Sequence, residues 1–228
     1  MAAVEYVYEA LNADNLEPAL RACADVFAKD EPLAVHVGST TSEIVDFTRP
    51  IYEMIVKNDC KLSQVVRFGV EGPVAAVMIV YNQEQLNQLD EAYLASVTSD
   101  SAAVVSGCLH SLEEIFLKML PEKLGRDVPL SKVAYCMMRS VTPEHRGKGL
   151  AKVMHERMLN TARTEDYVAL YSKTTNVRSK SLVQRQGGME WDCVKYGEYT
   201  DEKGNKPFAN MDMKLGNAAT LMVTILDT

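Results

Sequence analysis

The segment Ser140-Val-Thr-Pro-Glu-His-Arg-Gly-Lys-Gly-Leu-Ala151 constrains this chain more than any other. Lys132 to Val141 reads as a strand, and Gly149 to Ala162 repeats Leu150, Val153, Met154 and Met158 at helical spacing. A strand that passes through a glycine turn into a helix leaves the first amides of that helix unpaired and aimed at one point. The positive end of the helix dipole lies behind them. Such a turn is an anion site, best suited to a pyrophosphate. Gly147 and Gly149 let a ligand approach the backbone, and Arg146 and Lys148 supply charge beside it. The two common phosphate loops fail on spacing. Lys152 stands where a dinucleotide fingerprint needs its third glycine, and Gly149 follows Lys148 where a P-loop needs Ser or Thr.

The rest of the chain reads as alternating strands and helices around this turn, with no internal repeat, linker or low-complexity tract, so one mixed α/β domain over residues 1–228 is expected. Val4 to Leu11 predicts a first strand. A helix with Leu16, Leu20, Cys23 and Phe27 on one face follows, capped by Asp14 and Glu17 and stopped near Glu31 by Pro32. Ile44, Phe47, Ile51 and Met54/Ile55 mark a second helix, with a kink or restart at Pro50. Leu62 to Gly69 and Val74 to Tyr81 form a hairpin or meander about Glu71-Gly-Pro73. Gln83 to Tyr93 is helix-prone, and Ser111-Leu-Glu-Glu114 reads as a capping box that opens a helix to Leu120. Downstream come a short strand Val168–Ser172, a helix Val177–Gln186 ended by Gly187-Gly188, and a strand Glu190–Tyr196. Met211 to Leu215 reads as the last strand of the sheet, with Leu221 to Leu226 as an edge strand or docked tail.

Charge excludes some partners and admits others. The net charge of -7 argues against nucleic acid, and the longest apolar run, the eight residues Val74 to Tyr81, is too short to span a membrane. No signal-peptide pattern opens the chain, so a cytoplasmic location is expected. The five cysteines show no Cys-x-x-Cys pair and read as reduced thiols. His36, His110 and His155 show no metal-ligand spacing and are expected at the surface, so no metal is expected. Between Arg139 and Lys195, eleven basic residues face six acids, a balance of +5 that leaves -12 elsewhere. This segregation suits a local anionic ligand and a cationic small molecule on one protein.

Arg146-Gly-Lys-Gly-Leu-Ala151 resembles the Arg/Gln-x-x-Gly-x-Gly/Ala loop of the GNAT superfamily of N-acetyltransferases, placed likewise between the fourth strand and the third helix. Asn176-x-x-Ser179-x-x-Leu182-x-x-x-x-Gly187 is similar to that superfamily's Asn-x-x-Ala-x-x-Leu-Tyr-x-x-x-Gly-Phe segment. The resemblance implies a central, mixed but mostly antiparallel sheet, flanked by helices, whose fourth and fifth strands splay to admit acetyl-CoA. It further implies that backbone groups of Ser140, Val141 and Thr142 pair with the pantetheine arm. His145, Arg146, Gly147, Lys148, Gly149, Leu150 and Ala151 would hold the pyrophosphate, and Asn176 would face the cofactor. The superfamily often carries a Tyr seven residues after the Asn as the acid that protonates the thiolate, and here Val183 stands there.

Phe27-Ala-Lys-Asp-Glu-Pro-Leu33 resembles the Phe-x-x-Asp-Glu-Pro-Leu signature of the insect-type arylalkylamine (dopamine) N-acetyltransferases. That resemblance implies Glu31 as general base through water and, by alignment, Ser179 and Thr175 as the hydroxyls concerned with the thiolate and the amine. The chemistry suits these residue types: an ammonium needs a carboxylate to take its proton, an oxyanion needs preset donors, and a hydroxyl can protonate the thiolate. Plainer roles stand beside these. Glu31 suits a helix end, Ser179 a close helix approach, and Thr175 a turn. Tyr171 is a substitute acid or a core residue, Met137 and Met138 beside Cys136 pack a strand, and Phe47, Tyr52 and Met54 line an aromatic pocket or the core.

The reaction expected is acetyl transfer from acetyl-CoA to the primary amine of a small arylalkylamine of the dopamine, serotonin, tryptamine or octopamine type, by direct attack in a ternary complex, by a monomer or weak dimer. The alternatives are acetyl transfer to polyamines, amino acids or protein lysine, or an acyl-CoA-binding protein without activity.

Overall fold

The computed structural model describes residues 5–89 and 99–226. Seven strands, β1 (Tyr6–Ala10), β2 (Gln64–Phe68), β3 (Val74–Asn82), β4 (Val133–Val141), β5 (Ala169–Thr174), β6 (Met189–Lys195) and β7 (Ala218–Ile225), form one sheet in the order β1-β2-β3-β4-β5-β7-β6. Every neighbouring pair is antiparallel except β4 and β5, which run parallel. The helices are α1 (Leu16–Asp30), α2 (Pro32–Val37), α3 (Thr41–Lys57), α4 (Asp100–Leu124), α5 (Leu150–Thr164) and α6 (Val177–Arg185).

The apolar run Val74–Tyr81 is buried along its whole length because β3 sits inside the sheet with helices on both faces. The β2–β3 turn needs Gly72, since a Cβ there would lie 1.8 Å from the Phe68 carbonyl oxygen. Two adjacent residues of β4 show how the faces divide. Ser140 lies against the Cys23 thiol of α1, and Arg139 donates to His155 Nδ1 of α5 at 2.8 Å. Successive strand residues point to opposite faces, so α1 and α5 pack on opposite sides of β4.

The parallel pairing of β4 and β5 covers only Val133–Tyr135 and Ala169–Tyr171, and beyond it the strands part. At the same level the β3–β4 register shifts: Ile79 faces Met138 and Val80 faces Cys136, so Met137 has no partner across the ladder. A bulge of this kind bends its strand and increases its twist. From Cys136 onward, β4 presents an edge with no β5 partner to the gap. This mixed sheet with its splayed central pair is the fold expected from the sequence.

Several local expectations are corrected. Asp14 and Glu17 do not cap α1. Asn15 occupies the N-cap, and its side chain instead binds Glu9, the Ala10 carbonyl and the Asn12 amide, tying the turn to β1. Glu17 pairs with Arg49 of α3. α3 continues through Pro50 without a restart, held by a Thr40/Glu43 capping box and a buried face that includes Val45, Ile51 and Ile55. Burial of that face outweighs the one hydrogen bond that Pro50 removes. Ser111 opens no helix: α4 starts at Asp100 under a Ser99 cap, and the Ser111 hydroxyl bonds back to the Cys108 carbonyl. Of the helix expected at Gln83 to Tyr93, Gln83–Gln88 forms a 3-10 turn, and 90–93 lie outside the described residues.

Met211–Leu215 is not a strand; Met213–Leu215 forms a 3-10 turn capped by Asp212. The apolar tail is β7, which pairs with β5 on one side and β6 on the other, an interior strand rather than an edge or a docked tail. His155 is fully buried rather than at the surface. Burial and the Arg139 charge drive its pKa down to about 3, so the ring is neutral. Among the described residues no helix is long and apolar enough to cross a membrane.

Candidate active site

The loop between β4 and α5 has the geometry that its sequence implies. Gly147 (φ 74°) and Gly149 (φ 79°) both lie in the left-handed region, and a Cβ at either would meet nothing within 4 Å. The space is open, so backbone conformation is what requires glycine at these two positions. Gly149 caps α5 with no side-chain bond, and the amides of Gly147, Lys148, Gly149, Leu150 and Ala151 meet no acceptor among the described residues. These unmatched donors, at the positive end of a fifteen-residue helix, fit a phosphate group.

The side chains of the loop are more committed than expected. Arg146 forms an ion pair with Asp30 at the end of α1, and its Nε donates to the Val141 carbonyl at 3.2 Å. His145 meets the Tyr6 hydroxyl at 3.1 Å and packs on Phe68. Leu150 is buried, so only its backbone faces the site. Lys148 is exposed. Thr142 departs from its expected role. Both its amide, at 2.9 Å, and its hydroxyl, at 3.2 Å, donate to the Ala75 carbonyl, so neither is available to a pantetheine.

A cavity of about 620 Å³ lies beside the gap, walled by α1, α3, α4, β4 and β5. Its lining is mainly apolar, with Phe27, Ile44, Phe47, Ile51, Val105 and Leu109 prominent. Phe47 therefore faces the cavity, while Tyr52 and Met54 are core residues outside its lining. Glu31, Thr175, Asn176 and Ser179 all line this cavity, so the fold brings the end of α1 to the β5–α6 turn.

Glu31 terminates α1 and caps α2. Its extended backbone (φ -77°, ψ 121°) lets Oε2 accept from the Ala34 amide at 2.6 Å, and Pro32 sets the first turn of α2. Oε1 is buried and has no hydrogen-bond partner. Burial raises the carboxyl's pKa. The Thr175 hydroxyl beside the carboxyl and the amides of Ala34 and Leu33 oppose that rise. The result is a carboxyl with a free oxygen whose affinity for a proton is increased.

Asn176 caps α6, its Oδ1 accepting from the amides of Arg178 at 3.0 Å and Ser179 at 2.9 Å. The Ser179 hydroxyl donates to the Asn176 carbonyl at 3.0 Å. Tyr171 is not a substitute acid: it lies outside the cavity lining, stacked between Phe116 and Tyr135, and its hydroxyl donates to Gln83 Oε1 at 2.6 Å.

Three participants were invisible in the sequence. The buried Tyr196 donates its hydroxyl to the Thr175 carbonyl at 2.6 Å and so holds the turn that faces Glu31. Lys173 of β5 and Glu113 of α4 form a 2.7 Å ion pair on the cavity wall, with side chains 6% and 14% exposed. Period-two alternation gives Lys173 the same face as Tyr171, the only sequence signal that could have placed it inside.

Residues 108–188 match the model of the acetyltransferase (GNAT) family, a segment that contains β4, the glycine loop, α5, β5 and α6. The chain carries a GNAT acetyltransferase domain. The GNAT family uses acetyl-CoA as co-substrate, and the unmatched loop amides beside a splayed strand pair suit its pyrophosphate and pantetheine. Solved structures share the fold over nearly the whole chain. Arylalkylamine N-acetyltransferase 2 from Aedes aegypti is 19% identical, with 98% of this chain and 100% of that one covered at a TM-score of 0.70. The C-terminal condensation domain of Ebony, in complex with beta-alanyl-dopamine, is 14% identical, with 97% and 99% covered and a TM-score of 0.76. A Drosophila melanogaster polyamine N-acetyltransferase that forms N-acetylagmatine is 15% identical, with 97% and 100% covered and a TM-score of 0.72. No curated protein matches the sequence. The GNAT match does not reach Glu31, whose place in the site rests on the fold.

Proposed function

We propose that the whole chain, residues 1–228, works as one GNAT domain that transfers an acetyl group from acetyl-CoA to the primary amine of a small arylalkylamine in a ternary complex. The observation that carries this reading is Glu31: a carboxyl with one buried, unpartnered oxygen, on an otherwise largely apolar cavity beside the splayed strands. An aromatic amine places its ring against Phe27, Phe47 and Ile51 and its ammonium near Glu31.

Acetyl-CoA supplies a thioester carbonyl to the gap between β4 and β5. Glu31 takes the proton that the ammonium loses, directly or through water, and its raised pKa makes it a stronger base than an ordinary carboxylate. The free edge of β4 beyond Tyr135 offers backbone N–H groups to the developing oxyanion. The Ser179 hydroxyl, freed from the Asn176 carbonyl by rotation of its side chain, delivers a proton to the departing thiolate, with Thr175 beside it. Gly147, Lys148, Gly149, Leu150 and Ala151 hold the pyrophosphate with their amides, and the exposed Lys148 adds charge. Backbone groups of Ser140 and Val141 remain for the pantetheine arm.

The polyamine reading has support in one shared fold. Against it, three of the four cavity carboxylates are already engaged: Asp30 with Arg146, Glu43 with Thr40, and Glu113 with Lys173. A thiol-release assay with tryptamine, dopamine and spermidine decides between them, with turnover expected for the two aromatic amines. Acetyl-CoA binding without turnover of any amine would overturn the proposal in favour of a silent acyl-CoA binder.

A further inference from the structure

The cavity has a second polar point besides Glu31. Lys173 Nζ donates to Glu113 Oε2 at 2.7 Å and sits 4.5 Å from the centre of the Tyr135 ring. Gln83 Nε2 donates to Glu113 Oε1 at 2.6 Å, and Gln83 Oε1 accepts from the Tyr171 hydroxyl at 2.6 Å. This network fixes both charges in one place. An ammonium has three N–H groups and a carboxylate about four acceptor sites. With one N–H on Glu113 and another over the Tyr135 face, Lys173 keeps one donor to offer, and Glu113 keeps unused lone pairs.

The two polar points mark separate parts of the cavity. The Thr175 hydroxyl acts on Glu31, whose charge raises the pKa of Cys108 of α4, whereas the charge of Glu113 raises those of Tyr81, Tyr135 and Tyr171. Cys108 and Glu113 are five residues apart on one helix, about 7.5 Å along its axis. Thr175 and Lys173 are two residues apart at the end of β5, roughly 7 Å. That interval is about the length of a small arylalkylamine from its amino nitrogen to the far edge of its ring.

We propose that Glu113 and Lys173 form a subsite that selects amines whose far end carries a neutral hydroxyl, as on a phenol or catechol. This deepens the arylalkylamine reading and rests on it for the orientation of the amine. The pair has no net charge, so it presents a donor and an acceptor side by side. A hydroxyl satisfies both at once. A second ammonium meets Lys173 and a carboxylate meets Glu113, and each is repelled by one member. A bare ring leaves a polar pair facing an apolar surface without compensation.

The test is equilibrium binding by calorimetry to the full chain in the presence of CoA, which does not require turnover. Tyramine is expected to bind about tenfold more tightly than phenethylamine, which differs only in lacking the hydroxyl, and putrescine more weakly than either. In Glu113→Gln/Lys173→Met, which removes both charges at nearly constant volume, the tyramine-to-phenethylamine ratio is expected to fall to about one. Thermal melting and circular dichroism establish that this variant folds. Equal affinity of the unaltered protein for tyramine and phenethylamine overturns the subsite, as does tightest binding of putrescine, with no variant needed. A ratio that survives in the folded double variant also overturns it. Selective tyramine binding without acetylation of any amine would uphold the subsite while removing the proposed activity.

Discussion

The glycine loop and the cavity that holds Glu31 face the same gap but are built differently. The loop acts through consecutive backbone amides at the start of α5, so its chemistry is local: two left-handed glycines and an uncapped helix suffice. The cavity acts through side chains from four places, with Glu31 at the α1–α2 junction, Glu113 within α4, Lys173 on β5 and Ser179 on α6. Glu113 and Lys173 are each held by a partner distant in sequence, and all four groups meet only through the fold. A local anion site therefore tolerates change around it, whereas a cavity assembled from distant elements is sensitive to the loss of one member.

Substitution at Glu31 should give the largest effect. Glu31→Gln is expected to lower kcat/KM by about 10³ and to remove the acidic limb of its pH profile, while acetyl-CoA affinity is unchanged. The direction follows from the carboxyl's raised pKa: the base is lost as pH falls through that raised value. The same variant should be more stable at neutral pH, since a carboxyl favoured in its neutral form costs folding energy once ionised. Loss of cofactor affinity in this variant would show that the two regions are not separate.

Breaking the buried pair should be next in size. Lys173→Met strands Glu113 and is expected to cost roughly 3–5 kcal/mol in denaturant unfolding, most of which returns in Glu113→Gln/Lys173→Met. An equal loss in both variants would mean that shape, not charge pairing, sets the cost.

Acid should expose a difference between the two faces of the sheet. The folded pKa of His155 lies at about 3, well below its ordinary value, so its neutral form favours folding above pH 6.5. That contribution is lost at up to about 1.4 kcal/mol per unit as pH falls from 6.5 toward 3. His155→Gln should flatten the decline measured by pH-dependent melting; an unchanged slope would place the acid sensitivity elsewhere.

The smallest effect expected is at the loop. Gly149→Ala forces a side chain into left-handed backbone, at about 1–2 kcal/mol, but meets no neighbour. Acetyl-CoA KM should rise several-fold with little change in the KM for amine. A rise in both would contradict the division of labour.

What could be read in advance follows the same division. The hairpin, α5, α6 and the glycine loop were legible because their signals lie within a dozen residues and concern backbone geometry, whereas the splayed pair was implied by the resemblance to the GNAT superfamily. The errors arose where tertiary packing overrode local pattern. The capping pattern at Ser111 lies within a longer helix that Ser99 had already started. Leu221–Ile225 of the apolar tail lie within a strand between β5 and β6 because the sheet needed an interior member there. His155 is buried because Arg139, on the facing strand, offers it a donor.

By itself the sequence determined a mixed α/β fold and a glycine turn whose backbone suits a phosphate, because turn glycines, helix starts and strand runs act over short distances. Only the tertiary structure decided that Glu31 has an unpartnered oxygen, that Thr142 is spent on Ala75, and that Glu113 meets Lys173. These are properties of burial and of long-range pairing, and neither exists until the chain has folded.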